Sequence, residues 1–375
     1  MKYMGSKRAM LQNGLGELLE RETVDAHRFV DLFAGSGAVA IHIARRCAIP
    51  VLAFDLQLYS VVLTSAVISR KVKLNWQKVW DDWECRAQLQ FNATKIPTAP
   101  KLTQDIVADF RSWCGEQAAL PISKAYGGHY FSPQQAVWVD ALRANLPSRE
   151  PAKTVALAAL IQAASQCAAA PGHTAQPFQP TRTAKFFLAE AWSKDIVAKT
   201  RSAFEALAGQ CAKELGGADV CDANQAAEQL QDGDVAFIDP PYSGVHYSRF
   251  YHVLETIANG TCGEVSGVGR YPAPALRPRS KYSVSSESEE ALEDLLETAA
   301  SRGARAILTF PDHDCSNGLG GDSVRELAAD YFRVRERQVQ SRFSTLGGTG
   351  DDCGNERGRV ARHHPNELML VLEPK

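Results

Sequence analysis

Asp239, Pro240, Pro241 and Tyr242 stand in a row directly after the apolar run Val235-Ala236-Phe237-Ile238. A pair of prolines after a strand stops it and turns the chain, but that role explains neither the acid in front nor the aromatic behind. A loop stiffened in this way converges one carboxylate and one backbone carbonyl, both acceptors, on a point, and the tyrosine ring adds a face for stacking. Two acceptors beside a flat wall describe a pocket for a planar amine. A second constellation lies near the start of the chain, where Gly35 and Gly37 sit in Ala34-Gly35-Ser36-Gly37 and Asp55 follows Gly35 by twenty residues. Glycines let a ligand approach the backbone, and an acid at the tip of the next strand can accept both hydroxyls of a ribose. The turn lacks the G-x-x-x-x-G-K-[ST] pattern, so a nucleoside-like cofactor fits better than a nucleoside triphosphate.

Both constellations need strands to aim them. Arg28 to Phe33 is a short run rich in strand formers, followed by the glycine turn and the helical pattern Ala38 to Ala44, and Val51-Leu52-Ala53-Phe54 is a second strand ending at Asp55. Val235 to Ile238 and Ala306 to Phe310 are further buried strands, each running into a loop with acid and proline. Val334 to Phe343 and Leu368 to Leu372 predict two more, joined by the glycine- and arginine-rich stretch Gly347 to Arg362. Between them, residues 63–215 are alanine- and glutamine-rich, with helices predicted over Gln134 to Leu146 and Val155 to Ala169. Strands on both sides make this a helical insert, so the domains expected are residues 1–62 with 216–375, and 63–215.

Composition limits the partners. Of 375 residues, 45% are apolar and 22% charged, the balance of a globular protein, and 41 Lys+Arg against 43 Asp+Glu leave a net charge of -2. There is no global basic field, so any nucleic-acid surface must be local. Nine cysteines without a C-x-x-C pair, and an N-terminus without an apolar stretch, point to a reducing cytoplasm. No apolar run approaches the ~20 residues that span a bilayer, so no membrane partner is expected.

The ordered set resembles the S-adenosylmethionine-dependent DNA methyltransferases that modify exocyclic amino groups, specifically the adenine-specific, Dam-like group. Lys2-Tyr3-Met4-Gly5-Ser6-Lys7 is similar to the family's N-terminal K-[WY]-x-G-[GS]-K element, with methionine in place of the usual third residue, and Asp31-Leu32-Phe33-Ala34-Gly35-Ser36-Gly37 is similar to its cofactor loop. Asp239 to Tyr242 is its D-P-P-Y loop. The resemblance implies a class I methyltransferase fold of Rossmann-like α/β type: a mainly parallel seven-stranded sheet with a terminal antiparallel element and a helical target-recognition insert. It implies S-adenosyl-L-methionine as cofactor, held by Tyr3, Lys7, Asp31, Phe33, Gly35, Gly37, Asp55 and Asp222, with Asp55 on the ribose and Asp222 on the adenine. It implies catalysis by Asp239, Pro240, Pro241 and Tyr242, with no metal, on an adenine flipped from double-stranded DNA and methylated directly at its 6-amino group. Cytosine 4-amino or RNA adenine methylation, a DNA-binding protein without turnover, and protein glutamine methylation remain alternatives, although the leading Asp239 disfavours cytosine and glutamine. A cognate restriction endonuclease is a possible partner.

The other polar features allow a plain reading beside a functional one. His246, Arg249 and His252 are expected on the wetter face of a helix after the D-P-P-Y loop. Two basic stretches, Arg270, Arg277, Arg279 and Lys281 with Tyr271 and Tyr282, and Arg357, Arg359, Arg362, His363 and His364, are either solvated or phosphate contacts. Pro171 to Arg182 is either a linker or a reader of base edges.

Overall fold

The computed structural model describes residues 7–340 and 366–375. Seven strands form one sheet: β1 Arg28–Asp31, β2 Val51–Asp55, β3 Gly217–Val220, β4 Asp234–Ile238, β5 Arg305–Pro311, β6 Phe332–Gln340 and β7 Asn366–Pro374. Their order is β3-β2-β1-β4-β5-β7-β6, with every pair parallel except those that β7 makes with β5 and β6. This is the class I methyltransferase arrangement implied by the resemblance. The central strands read as unbroken apolar runs because helices cover both faces of a parallel sheet; β4 is buried at all five positions.

The chain leaves β1 in one direction and returns for β4 on the other side, and ligands of open α/β sheets bind at such a switch point, beyond the strand C-termini. Register places the two constellations there: Asp31 pairs with Phe237, which brings Asp239 to the same edge as the glycine turn. Asp55 ends the neighbouring strand, its Cα level with Val220 of β3.

The regular elements of residues 69–216 are helices joined by loops, among them Gln77–Asn92, Pro133–Ala144, Ala152–Cys167 and Ile196–Ala208. Pro133–Ala144 starts on a capping box that is visible in the sequence: Ser132 Oγ accepts from Gln135 N while the Gln135 amide oxygen accepts from Ser132 N. Ala152–Cys167 is buried nearly all round, and its alanines permit close approach of the helices Leu58–Ile68 and Ile196–Ala208. The boundary drawn at residue 62 lies within Leu58–Ile68. The insert shares one core with that helix and with Tyr247–Asn259, so it is packed onto the sheet domain. Arg143 reinforces the junction by donating to the carbonyls of Ile257 and Ala258 at 2.8 and 2.9 Å. No helix among the described residues is long and apolar enough to cross a membrane.

Candidate active site

A single pocket is lined by Lys7, Asp31, Phe33, Gly35, Asp55, Asp222 and Asp239 to Tyr242, together with His246 and Tyr282, which the sequence placed outside the cofactor and catalytic sets, and Gln57 and Ser248, which it did not single out. Tyr3 lies outside the described residues. Gly37 is in the same turn and opens the helix Ala38–Arg46 in the left-handed region at φ 72°. A Cβ there would meet Thr64 Oγ1 at 2.6 Å, so both its conformation and its surroundings require glycine.

Asp55 organises the turn. Its two carboxylate oxygens accept from Gly35 N at 2.8 Å and from Gln57 N at 2.9 Å. Each oxygen keeps a further lone pair, which is the acceptor capacity a ribose diol requires. Burial pushes its carboxyl up to about 6. Gln57 is itself buried, and its Nε2 has no hydrogen-bond partner among the described residues. An orphaned donor lining the pocket is costly unless a polar ligand meets it. The glycine turn, the acceptors on Asp55 and this donor thus fit a nucleoside-bearing cofactor.

Asp222 has a structural duty as well, capping the short helix Ala223–Ala227 by accepting from Asn224 N at 3.0 Å. Phe33 meets the Tyr282 ring edge-on at 5.1 Å, and the Tyr282 hydroxyl donates to Asn224 at 2.6 Å. Tyr282 is thus buried wall, not the exposed aromatic of a phosphate-binding stretch.

Asp239 receives two donors on one oxygen: Lys7 Nζ at 2.8 Å and Thr309 Oγ1 at 2.9 Å both reach Oδ1. Lys7 also pairs with Glu367 on β7. Lys7 and Glu367 are nearly sequestered from water, whereas Asp239 keeps 20% of its side-chain surface, enough to open on the pocket. Burial raises the Asp239 carboxyl, and the Lys7 ammonium opposes that rise. Asp31, buried at the end of β1, is pushed up to about 8 chiefly by desolvation, with Asp239 and Asp55 adding to the rise. The backbone of the D-P-P-Y loop is braced by Asn317, which is fully buried and donates to the carbonyls of Pro241 at 2.9 Å and Tyr282 at 3.0 Å. Burial pushes the Tyr242 phenol up to about 12, so the ring stays neutral as an aromatic wall.

Several sequence expectations change here. His252, expected on a wet face, is buried, with ring nitrogens on the carbonyls of Arg249 and Gly269. A break at Tyr251 in Tyr247–Asn259 rotates it inward among Tyr126, Tyr130 and Tyr271. Arg270 donates to the carbonyls of Ala125 and Lys124, and Arg277 and Arg249 both lie over the ring of Tyr271. Arg279 and Lys281 remain the exposed cations of that stretch. Within Pro171 to Arg182, Thr174 is stitched to the Phe250 carbonyl and Gln179 is held by Arg111, while Gln176 and Arg182 are exposed. The basic cluster Arg357, Arg359, Arg362, His363 and His364 lies outside the described residues.

Residues 3–96 match the family model of D12 class N6 adenine-specific DNA methyltransferases. The chain is similar to the modification methylase LlaI of Lactococcus lactis subsp. lactis, 24% identical over 318 residues that cover 79% of this chain and 44% of the relative. It is also similar to the type II methyltransferase M.FokI of Planomicrobium okeanokoites, 38% identical over 78 residues, 21% of this chain and 12% of the relative. The chain thus spans less than half the length of these curated relatives. The family match covers the glycine turn and Asp55, and so falls on the residues that build one wall of the pocket.

Proposed function

We propose that this chain is a site-specific DNA methyltransferase that moves a methyl group from S-adenosyl-L-methionine to the 6-amino group of adenine in double-stranded DNA. The observation that carries this reading is the position of Asp239: a carboxylate with Oδ1 already satisfied and a side chain open on the pocket that Gly35, Asp55 and Asp222 line. S-adenosylmethionine would bring an electrophilic methyl group on a sulfonium. The chain's own task is to make a poor nucleophile competent. Adenine's amino lone pair is delocalised into the ring, so acceptors that hold both amino hydrogens as the nitrogen pyramidalises favour the transition state over the ground state. Asp239 and the Pro240 carbonyl are those acceptors, and Tyr242 is the stacking wall for a base flipped from the duplex. The helical insert is the target-recognition region, and its junction to Tyr247–Asn259 through Arg143 and Thr174 supports a coupling between recognition and the catalytic loop. The setting that goes with this reading is a bacterial or phage-host cytoplasm with a partner restriction endonuclease; the relatives are named a modification methylase and a type II methyltransferase.

Single-molecule sequencing of genomic DNA from a methylation-free host expressing the chain tests this directly. Modified adenine at one recurrent motif is expected. Modified cytosine would overturn the base, and unmodified DNA would turn attention to RNA, to protein, or to a binder without turnover.

Asp55→Ala is expected to weaken S-adenosylmethionine binding at least about tenfold, since it removes hydrogen bonds to a charged acceptor. Calorimetry giving an unchanged dissociation constant would remove Asp55 from the cofactor site. Proton linkage offers a second check. Asp31, at about 8, holds its proton at neutral pH, and a cation entering the pocket favours its ionised form. Affinity for a cationic ligand should therefore rise as pH climbs toward about 8, with proton release on binding at pH 7. Neutral adenosine should show a weaker dependence, and identical pH profiles for the two ligands would show that Asp31 does not sense the charge.

A further inference from the structure

The buried ion cluster behind the D-P-P-Y loop contains one residue that neither constellation explains. Glu367 enters from β7, the strand inserted antiparallel between β5 and β6, with its side chain almost wholly removed from water. Its partner is Lys7, whose ammonium simultaneously reaches Oδ1 of Asp239 at 2.8 Å. A buried carboxylate is expensive to desolvate, and one cation between two carboxylates is not a neutral pair, so packing alone is a poor reason for Glu367. We propose that Glu367 is a positioning residue for methyl transfer, clamping the Lys7 ammonium against Oδ1 of Asp239 and sharing its charge so that Oδ2 is left to receive the amino group. The inference rests on the adenine methyltransferase reading for its substrate, but the clamp itself is a property of the three side chains.

Geometry and charge act together. Lys7 and Thr309 both fall on Oδ1, which fixes the carboxylate plane and sets the two oxygens apart in function. Without Glu367, the Lys7 ammonium would be Asp239's alone and would draw electron density from the acceptor when it must attract an amino proton. With Glu367 present, the ammonium is divided between two carboxylates, and Asp239 stays a stronger acceptor. Among the described residues, the charged and titratable groups that face Asp239 are Lys7 from the N-terminal segment, Glu367 from β7, Asp31 from β1 and Tyr242 from its own loop. Of the four, Glu367 raises the proton affinity of Asp239 and Lys7 lowers it.

The test is Glu367→Gln in the full chain, with aspartate labelled at the carboxyl carbon for NMR titration and the Asp239 signal identified by its loss in Asp239→Asn. Losing the Glu367 charge should move the Asp239 midpoint down by about one pH unit. The acid limb of single-turnover methyl transfer should move down with it, and the plateau rate should fall on the order of 10- to 100-fold as the carboxylate loses its fixed orientation. Glu367→Asp should recover part of the plateau and restore the midpoint. Calorimetry and thermal melting of the variants verify that each is folded and binds cofactor; if Glu367→Gln misfolds, Glu367→Asp decides through its plateau rate, which the shortened clamp should lower and which, if equal to the parent's, would overturn the clamp. An Asp239 midpoint unmoved in folded Glu367→Gln would overturn the clamp. A moved midpoint in a protein that methylates no nucleic acid would uphold the clamp and overturn the functional reading instead.

Discussion

Asp239→Ala is expected to abolish methyl transfer to DNA, with a loss on the order of 10³-fold or more in single-turnover rate, while S-adenosylmethionine binding stays within about twofold. The asymmetry follows from where Asp239 stands. The hydrogen bonds that shape the glycine turn come from Asp55, and the pocket wall beside it comes from Asp222 and Tyr282, both tied to Asn224. None of these passes through Asp239. What the substitution removes is an acceptor that acts on the amino group as it pyramidalises, an interaction stronger in the transition state than in the ground state, so it should lower kcat rather than raise KM. Lys7 keeps Glu367 as a partner in the variant, which limits the damage to the fold. Full transfer by a folded Asp239→Ala that still binds cofactor would show the acceptor to lie elsewhere. Loss of cofactor binding would instead make Asp239 part of the cofactor site and leave its role in catalysis without support.

The two constellations were legible because each lies in one short stretch: glycines after an apolar run, an acid at the tip of the next, and an acid with two prolines after a third. Local sequence sets these features directly, through backbone freedom at Gly37 and rigidity at Pro240 and Pro241. β3 was not legible. Gly217–Val220 is a half-exposed edge strand without apolar alternation, and it exists because Leu52 to Asp55 offer it a ladder to pair with. The inward turn of His252 was also hidden, since the 3.6-residue periodicity of Tyr247–Asn259 is interrupted at Tyr251, where φ is -129°. Arg270 and Tyr282 read as members of a basic, aromatic surface stretch, but backbone carbonyls of the insert and the ring of Phe33 claim them. Glu367 and Asn317 carried no signal at all. A single acid and a single amide acquire meaning only when β7 and the loop after β5 bring them to the D-P-P-Y loop, which is a consequence of sheet order and not of spacing.

Lys7→Met should cost on the order of 3–5 kcal/mol of stability at neutral to alkaline pH, because it leaves Glu367 and Asp239 buried without their shared cation. Methionine fills a similar volume, so the loss reports charge more than packing. Its pH dependence has a definite sign. Deprived of Lys7, a buried carboxylate is more easily accommodated protonated, and its folded value rises above the unfolded one; such a group supports the fold at low pH and ceases to as pH rises through the folded value. The gap between Lys7→Met and the parent chain in denaturant unfolding should therefore be small near pH 5 and wide near pH 8. In the parent chain the Lys7 ammonium is itself held well above the ordinary lysine range by Asp239 and Glu367, despite burial, so its contribution persists to alkaline pH. Residual methyl transfer should also shift, with its acid limb moving to higher pH, because Asp239 loses the charge that favours its ionised form. That direction is opposite to the one expected for Glu367→Gln, and the opposition is what separates a charge clamp from a lysine that only holds the methionine end of the cofactor. A lysine of the latter kind would weaken cofactor binding in Lys7→Met while leaving both the unfolding gap flat with pH and the acid limb in place.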